Sequence, residues 1–139
     1  QLKNNLSNIF FGSISNTLKI NCKSFGFKYG TDTEADLVFD VRCLPNPFYI
    51  EELKHKTGLE QEIRDFVMDS AESKEFLQKL NSFLDTAVPL YAKEGKSQLV
   101  IAFGCTGGKH RSVTFAELVG EYLKQKDYDC IITHRDIKK

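Results

Sequence analysis

Residues 99–126 constrain the fold more than any other stretch. Residues 99–103 read LVIAF, an apolar run of strand length, and residues 104–112 read GCTGGKHRS, with two adjacent glycines. Beyond them, Phe115, Leu118, Val119, Tyr122 and Leu123 recur on one face of a helix over 112–126, and a further strand, YDCIIT, follows at 128–133. Strand, tight loop, helix and strand form a βαβ unit. Such a unit commits the chain to a parallel sheet with right-handed crossovers, whose ligands gather at the carboxyl ends of the strands.

The upstream sequence supplies the rest of that sheet. Leu18, Ile20 and Cys22 alternate with Lys19, Asn21 and Lys23, which predicts a strand over 18–25. Residues 37–41, LVFDV, read as a second, buried strand that LPNP at 44–47 breaks. Helices are expected over 59–68 and 73–91, the second with Phe76, Leu77, Leu80, Phe83, Leu84, Ala87 and Val88 on one face. The expectation is a single α/β domain: a mainly parallel sheet of about four strands flanked by helices.

Length and composition exclude other classes. The chain has 139 residues, 41% apolar and 27% charged, which suits one globular domain. No apolar run approaches the roughly 20 residues of a membrane span, and no secretory pattern opens the chain. The four cysteines, Cys22, Cys43, Cys105 and Cys130, form no C-x-x-C pair and read as cytosolic thiols, so a cytoplasmic protein is expected. Cys22, Cys43 and Cys130 lie in or beside apolar runs and are expected in the core. Three scattered histidines make no metal site. Net charge is zero, yet the first thirty residues hold four lysines and no acid. Neutrality argues against a dedicated nucleic-acid domain but leaves room for a local basic face.

The loop at 104–112 concentrates groups that bind oxyanions. Gly107 and Gly108 let the backbone turn and present N–H groups, and the following helix end adds free donors and partial positive charge. Lys109 and Arg111 bring full charges, Thr106 and Ser112 hydroxyls, and His110 a further donor; Ser112 is also a candidate helix cap. A phosphate group is the favoured ligand. The alternative is a plain glycine-rich turn with its bases in water. No Walker A pattern is present. The C-x-x-G-x-x-R-S spacing of Cys105, Gly108, Arg111 and Ser112 does resemble the phosphate loop of cysteine-dependent phosphatases. On that reading Cys105 is the nucleophile, Arg111 clamps the oxyanion, and Asp40, or more weakly Asp36, is the general acid.

A longer resemblance covers the chain from about Thr17 onward. SFGFKYG at 24–30, FDVRCLPNPFY at 39–49 and GCTGGKHRSV at 104–113 together resemble the C-terminal domain of the RapZ/YvcJ family. The resemblance implies that residues 1–16 are a lead-in from a missing N-terminal P-loop domain and that 17–139 form the ligand-binding domain. ATP or GTP would belong to that missing domain, and no cofactor is expected in this one. It further implies a fold resembling part of a phosphofructokinase and sensing of glucosamine 6-phosphate. Assembly into homo-oligomers is implied too, as is participation in presenting a small regulatory RNA to an endoribonuclease. Carried over by position, the ligand loop falls on Cys105, Thr106, Gly107 and Arg111. The family's histidine in the first loop is replaced by Tyr29, which can donate a hydrogen bond but takes no positive charge. The tail, where the RNA-binding members are strongly basic, offers Arg135, Lys138 and Lys139, interrupted by Asp136.

Other residues admit two readings. Arg42 follows a strand and either grips an anion or pairs with Asp40 or Glu51. Asn46 fixes a turn between prolines. His134 and Arg135 lie at the carboxyl edge and are placed at the site, whereas His55 is placed in solvent. Phe25, Phe27 and Tyr29, alternating with Gly26 and Lys28, form either a base-stacking run or, as favoured, strand edge and core.

Overall fold

The computed structural model describes residues 18–139; the expected lead-in at 1–16 lies outside them. Four strands, β1 (Lys19–Gly26), β2 (Leu37–Asp40), β3 (Gln98–Cys105) and β4 (Asp129–His134), form one sheet in the order β2-β3-β1-β4. All pairings are parallel. The described residues also form three α-helices: α1 (Gln61–Met68), α2 (Ala71–Lys93) and α3 (Arg111–Gln125). The expected α/β fold with a four-stranded parallel sheet is therefore the observed one.

The strand order explains where the helices go. β2 to β3 and β3 to β4 both step the same way across the sheet, so right-handed crossovers place all three helices on one face. Ile63 and Val67 of α1, Leu80, Leu84 and Val88 of α2, and Phe115, Val119 and Leu123 of α3 share one core with alternate strand residues. Those strand residues include Ile20, Cys22, Leu99, Ile101 and Phe103, all buried. Each large side chain buried there contributes roughly 1.5–3 kcal/mol. Phe115 adds an edge contact to Phe76 with centroids 5.7 Å apart.

β1 to β2 steps the other way, so the same handedness sends residues 27–36 over the opposite face. They have no α-helix to cover it, and polar contacts hold them instead. Lys23 pairs with Asp32 at 2.9 Å. Asp36 pairs with Lys96 at 2.9 Å, and its backbone N–H donates to the Val100 carbonyl while its carboxylate accepts the Val100 N–H. Val38 and Ile131 remain exposed on this face.

Candidate functional site

Three connections meet at the carboxyl edge of the sheet. After β1 the chain makes a 3-10 turn at Phe27–Tyr29, and after β2 another at Pro47–Tyr49, where Asn46 Oδ1 accepts the Phe48 N–H at 3.1 Å. After β3 comes the loop into α3. Between them lies a cavity of about 370 Å³, within the roughly 300–1,000 Å³ usual for small-molecule sites.

The loop after β3, a cradle of turning backbone, leaves a run of N–H groups without partners among the described residues. The carbonyls of Thr106, Lys109 and His110 accept from Lys28, Gly58 and Thr114. The N–H groups of residues 106–110 donate to nothing among the described residues. Gly108 sits at φ 79°, a conformation that side chains rarely tolerate. A Cβ there would lie 2.6 Å from the Gly26 nitrogen, and one on Gly26 would lie 2.5 Å from the Gly107 carbonyl carbon. The two glycines thus let the first and third connections touch.

Tyr29, Cys105, Thr106, Gly107, Lys109, His110 and Arg111 line the cavity. His110 is buried, and its Nε2 has no hydrogen-bond partner among the described residues. Burial pulls the pKa of its imidazole down; contacts with the Lys56 and Lys54 backbone oppose this, and the charges of Arg111 and Lys109 add to it. Neutral His110 facing a cationic cavity is suited to answering an incoming anion. Arg111 is buried too, but its Nη1 donates to the carbonyls of Arg42 at 2.6 Å and Leu44 at 3.2 Å. It clamps the LPNP turn to the cradle, while its Nε finds no partner among the described residues.

Several expected positions lie elsewhere. Gly108 and Ser112 support the loop without lining the cavity. Ser112 is no cap: it lies inside α3, fully buried, with Oγ 3.2 Å from Cys105 Sγ. Arg42 forms the salt bridge of its second reading, at 2.6 Å to Asp40, and stacks 4.0 Å from the Phe27 ring centroid. That pairing, against the opposing effect of burial, holds the Asp40 carboxyl below its usual range. Asp40 is thus an ionised group outside the cavity, ill-suited to donate a proton. Asp36 sits at the start of the sheet, at the opposite end of the strands. Cys43 is exposed, not core. Cys22 and Cys130 are buried with sulfurs 3.8 Å apart, and hydrogen bonding to Cys130 and burial push the Cys22 thiol up.

The tail corrects the sequence reading most. Asp136, read as an interruption, is fully buried and accepts the Gly26 N–H at 2.7 Å. Arg135 donates to Asp136 and to the Gly30 and Thr31 carbonyls, so its charge braces the first connection. His134 lies beneath α3, bonded through Nδ1 to Ser24 at 2.7 Å and through Nε2 to Glu117 at 2.8 Å, outside the cavity. Lys138 is exposed. Lys139 lines the cavity, as do Lys28, Asn46, Phe48, Tyr49, Lys54 and His55. The sequence carried a signal for these in the aromatics after LPNP and the run KHK at 54–56. Only the fold brings them opposite the cradle.

Among the described residues, no helix is long and apolar enough to cross a membrane, and no three His, Cys, Asp or Glu side chains gather as a metal site.

Known proteins resemble this chain over nearly its whole length. A model of the family described as the RapZ C-terminal domain matches residues 18–138. A nucleotide-binding protein of Thermoanaerobacter sp. (strain X514) is 56% identical over 138 residues, 99% of this chain and 49% of that protein. One from Caldicellulosiruptor saccharolyticus is 56% identical over 139 residues, 99% of this chain and 47% of its own length. One from Bacillus licheniformis is 54% identical over 130 residues, 94% and 44% respectively. The chain spans about half the length of these relatives. The chain belongs to the RapZ C-terminal domain family.

Proposed function

We propose that this domain is a binding module for a phosphorylated sugar, held in the cradle at 105–112, and that occupancy regulates a larger nucleotide-binding protein. The observation that carries the reading is the run of N–H groups at 106–110, unpaired among the described residues, in a loop that borders a cavity lined by cations. The phosphate oxygens accept from these groups and from Lys109, and the sugar lies between Tyr29 and the Phe48–Tyr49 wall. Glucosamine 6-phosphate is the first ligand to test, on the strength of the family resemblance. The same resemblance supports a part in RNA binding, in presenting RNA to an endoribonuclease, and in homo-oligomers. Of the tail cations, Lys138 is the one without an ion pair among the described residues.

The phosphatase reading loses its acid, because Asp40 is ionised and lies outside the cavity. A phosphorus NMR titration with glucosamine 6-phosphate tests both readings. Broadening or a shift that Lys109→Met removes, with no free phosphate over hours, supports the binding module. Growth of an inorganic phosphate signal promotes Cys105 to nucleophile. An unchanged spectrum returns the loop to a structural role.

A further inference from the structure

The lining of the cavity carries a charge imbalance that one phosphate does not use up. Among the described residues that line it are Lys28, Lys54, Lys109, Lys139 and Arg111, with His55 and His110, and no Asp or Glu. The cations are also unevenly placed. Lys109 and Arg111 belong to the cradle. Lys28 and Lys139 stand apart, both packed on Tyr29, with ammonium groups 5.3 Å and 4.9 Å from its ring centroid. Two like charges beside one ring repel each other unless a counter-charge joins them. Of the two, Lys139 pairs with Asp136 at 3.1 Å, a carboxylate it shares with Arg135, whereas Lys28 has no ion pair among the described residues. The backbone fixes this cluster next to the cradle, because the Lys28 N–H donates to the Thr106 carbonyl at 3.2 Å.

We infer that Lys28, Lys139 and the Tyr29 hydroxyl form a second anion subsite, so that the cavity takes a ligand with two anionic groups, such as a sugar bisphosphate. This deepens the phosphosugar reading and rests on it. The first phosphate sits on the cradle amides and Lys109. The second reaches the Tyr29 side, where two exposed ammonium groups supply charge-assisted hydrogen bonds. His110 Nε2 and Arg111 Nε, buried atoms of two residues that line the cavity, have no partner among the described residues. The same lining bears on amines: an ammonium on the ligand meets cations and no carboxylate, so an amino group adds no affinity.

Calorimetry at fixed ionic strength compares glucose 6-phosphate, glucosamine 6-phosphate and glucose 1,6-bisphosphate on the whole chain. The bisphosphate is expected to bind at least tenfold tighter than glucose 6-phosphate, and the amine to change affinity less than threefold. Lys28→Met is expected to erase the bisphosphate advantage and leave glucose 6-phosphate within about threefold, and Lys139→Met to reduce it in the same sense. Equal binding of mono- and bisphosphate overturns the second subsite while leaving the cradle standing, as does an advantage that survives both variants. A tenfold preference for the amino sugar overturns the acid-free account of the lining. If no sugar phosphate binds and Lys109→Met changes nothing, the cradle reading falls first and the subsite with it.

Discussion

Asp136 shows how one side chain can be misread from its neighbours. In HRDIKK it looks like a lone acid diluting a basic tail, yet it is buried and ties that tail to Gly26. Burial pushes its carboxyl up, but Arg135, the Gly26 N–H and Lys139 together outweigh that and hold it below its usual value. A carboxyl depressed in the folded state stabilises the fold above its unfolded pKa and loses that contribution as pH falls through the folded one. Asp136→Asn should cost about 1–3 kcal/mol in a urea titration at neutral pH. Its stability should then depend less on pH than the parent's below about pH 4. Arg111 offers the complementary case. Its Nη1 contacts with the Arg42 and Leu44 carbonyls make it a strut as well as a cation. Arg111→Lys loses the planar fork and should lower both stability, by about 1–3 kcal/mol, and phosphate affinity. Lys109→Met should lower affinity alone. Urea midpoints and calorimetry on the two variants separate strut from ligand; equal stability of both variants would strip Arg111 of its structural role.

At the scale of elements, hydrophobic pattern was enough to find the four strands and three α-helices of the described residues, because each packs against a single core, but not the two 3-10 turns. Residues 18–25, 37–41 and 99–103 alternate or run apolar for that reason, and α2 follows its three- and four-residue steps. The cradle could be read as well, since glycines, a strand end and a helix start are all local signals. What period does not encode is how connections meet. Nothing local announces that Gly26 touches Gly107, that His134 turns beneath α3, or that Lys54 and His55 line the cavity opposite the cradle. The handedness rule does predict that residues 27–36 cross the opposite face, but only once the strand order is known. The contact of the first and third connections gives a prediction at this scale. Gly26→Ala places a methyl within 2.5 Å of the Gly107 backbone, which no rotamer change relieves. The loop must move, so phosphate affinity should fall tenfold or more while the far core keeps its far-ultraviolet circular dichroism. Gly108→Ala adds strain at φ 79° to the same displacement and should lose more stability than Gly26→Ala.

For the whole domain, the walls of the cavity come from distant parts of the chain: Tyr29 after β1, Asn46 to His55 after β2, residues 105–111 after β3, and Lys139 at the end. They face one another only when the sheet is assembled, so an anion in the cavity binds the folded state and has no equivalent site on the unfolded chain. Such a ligand stabilises by mass action, about 2.7 kcal/mol at a concentration a hundred times its dissociation constant. For a domain of this size that raises the unfolding midpoint on the order of 10 °C. The rise should grow with the logarithm of ligand concentration and shrink in added salt, because the attraction is largely ionic. It should be absent with the uncharged sugar, and it should be lost in Lys109→Met, whose own midpoint without ligand stays near the parent's. His110 adds a pH signature. Its depressed pKa leaves it neutral near pH 7 when the cavity is empty, and a bound anion favours its protonation. Ligand-induced stabilisation should therefore increase between pH 7.5 and 6, and His110→Gln should flatten that increase. A midpoint rise that ignores pH in both proteins would mean that the imidazole plays no part in holding the anion and that the cradle amides and lysines act alone.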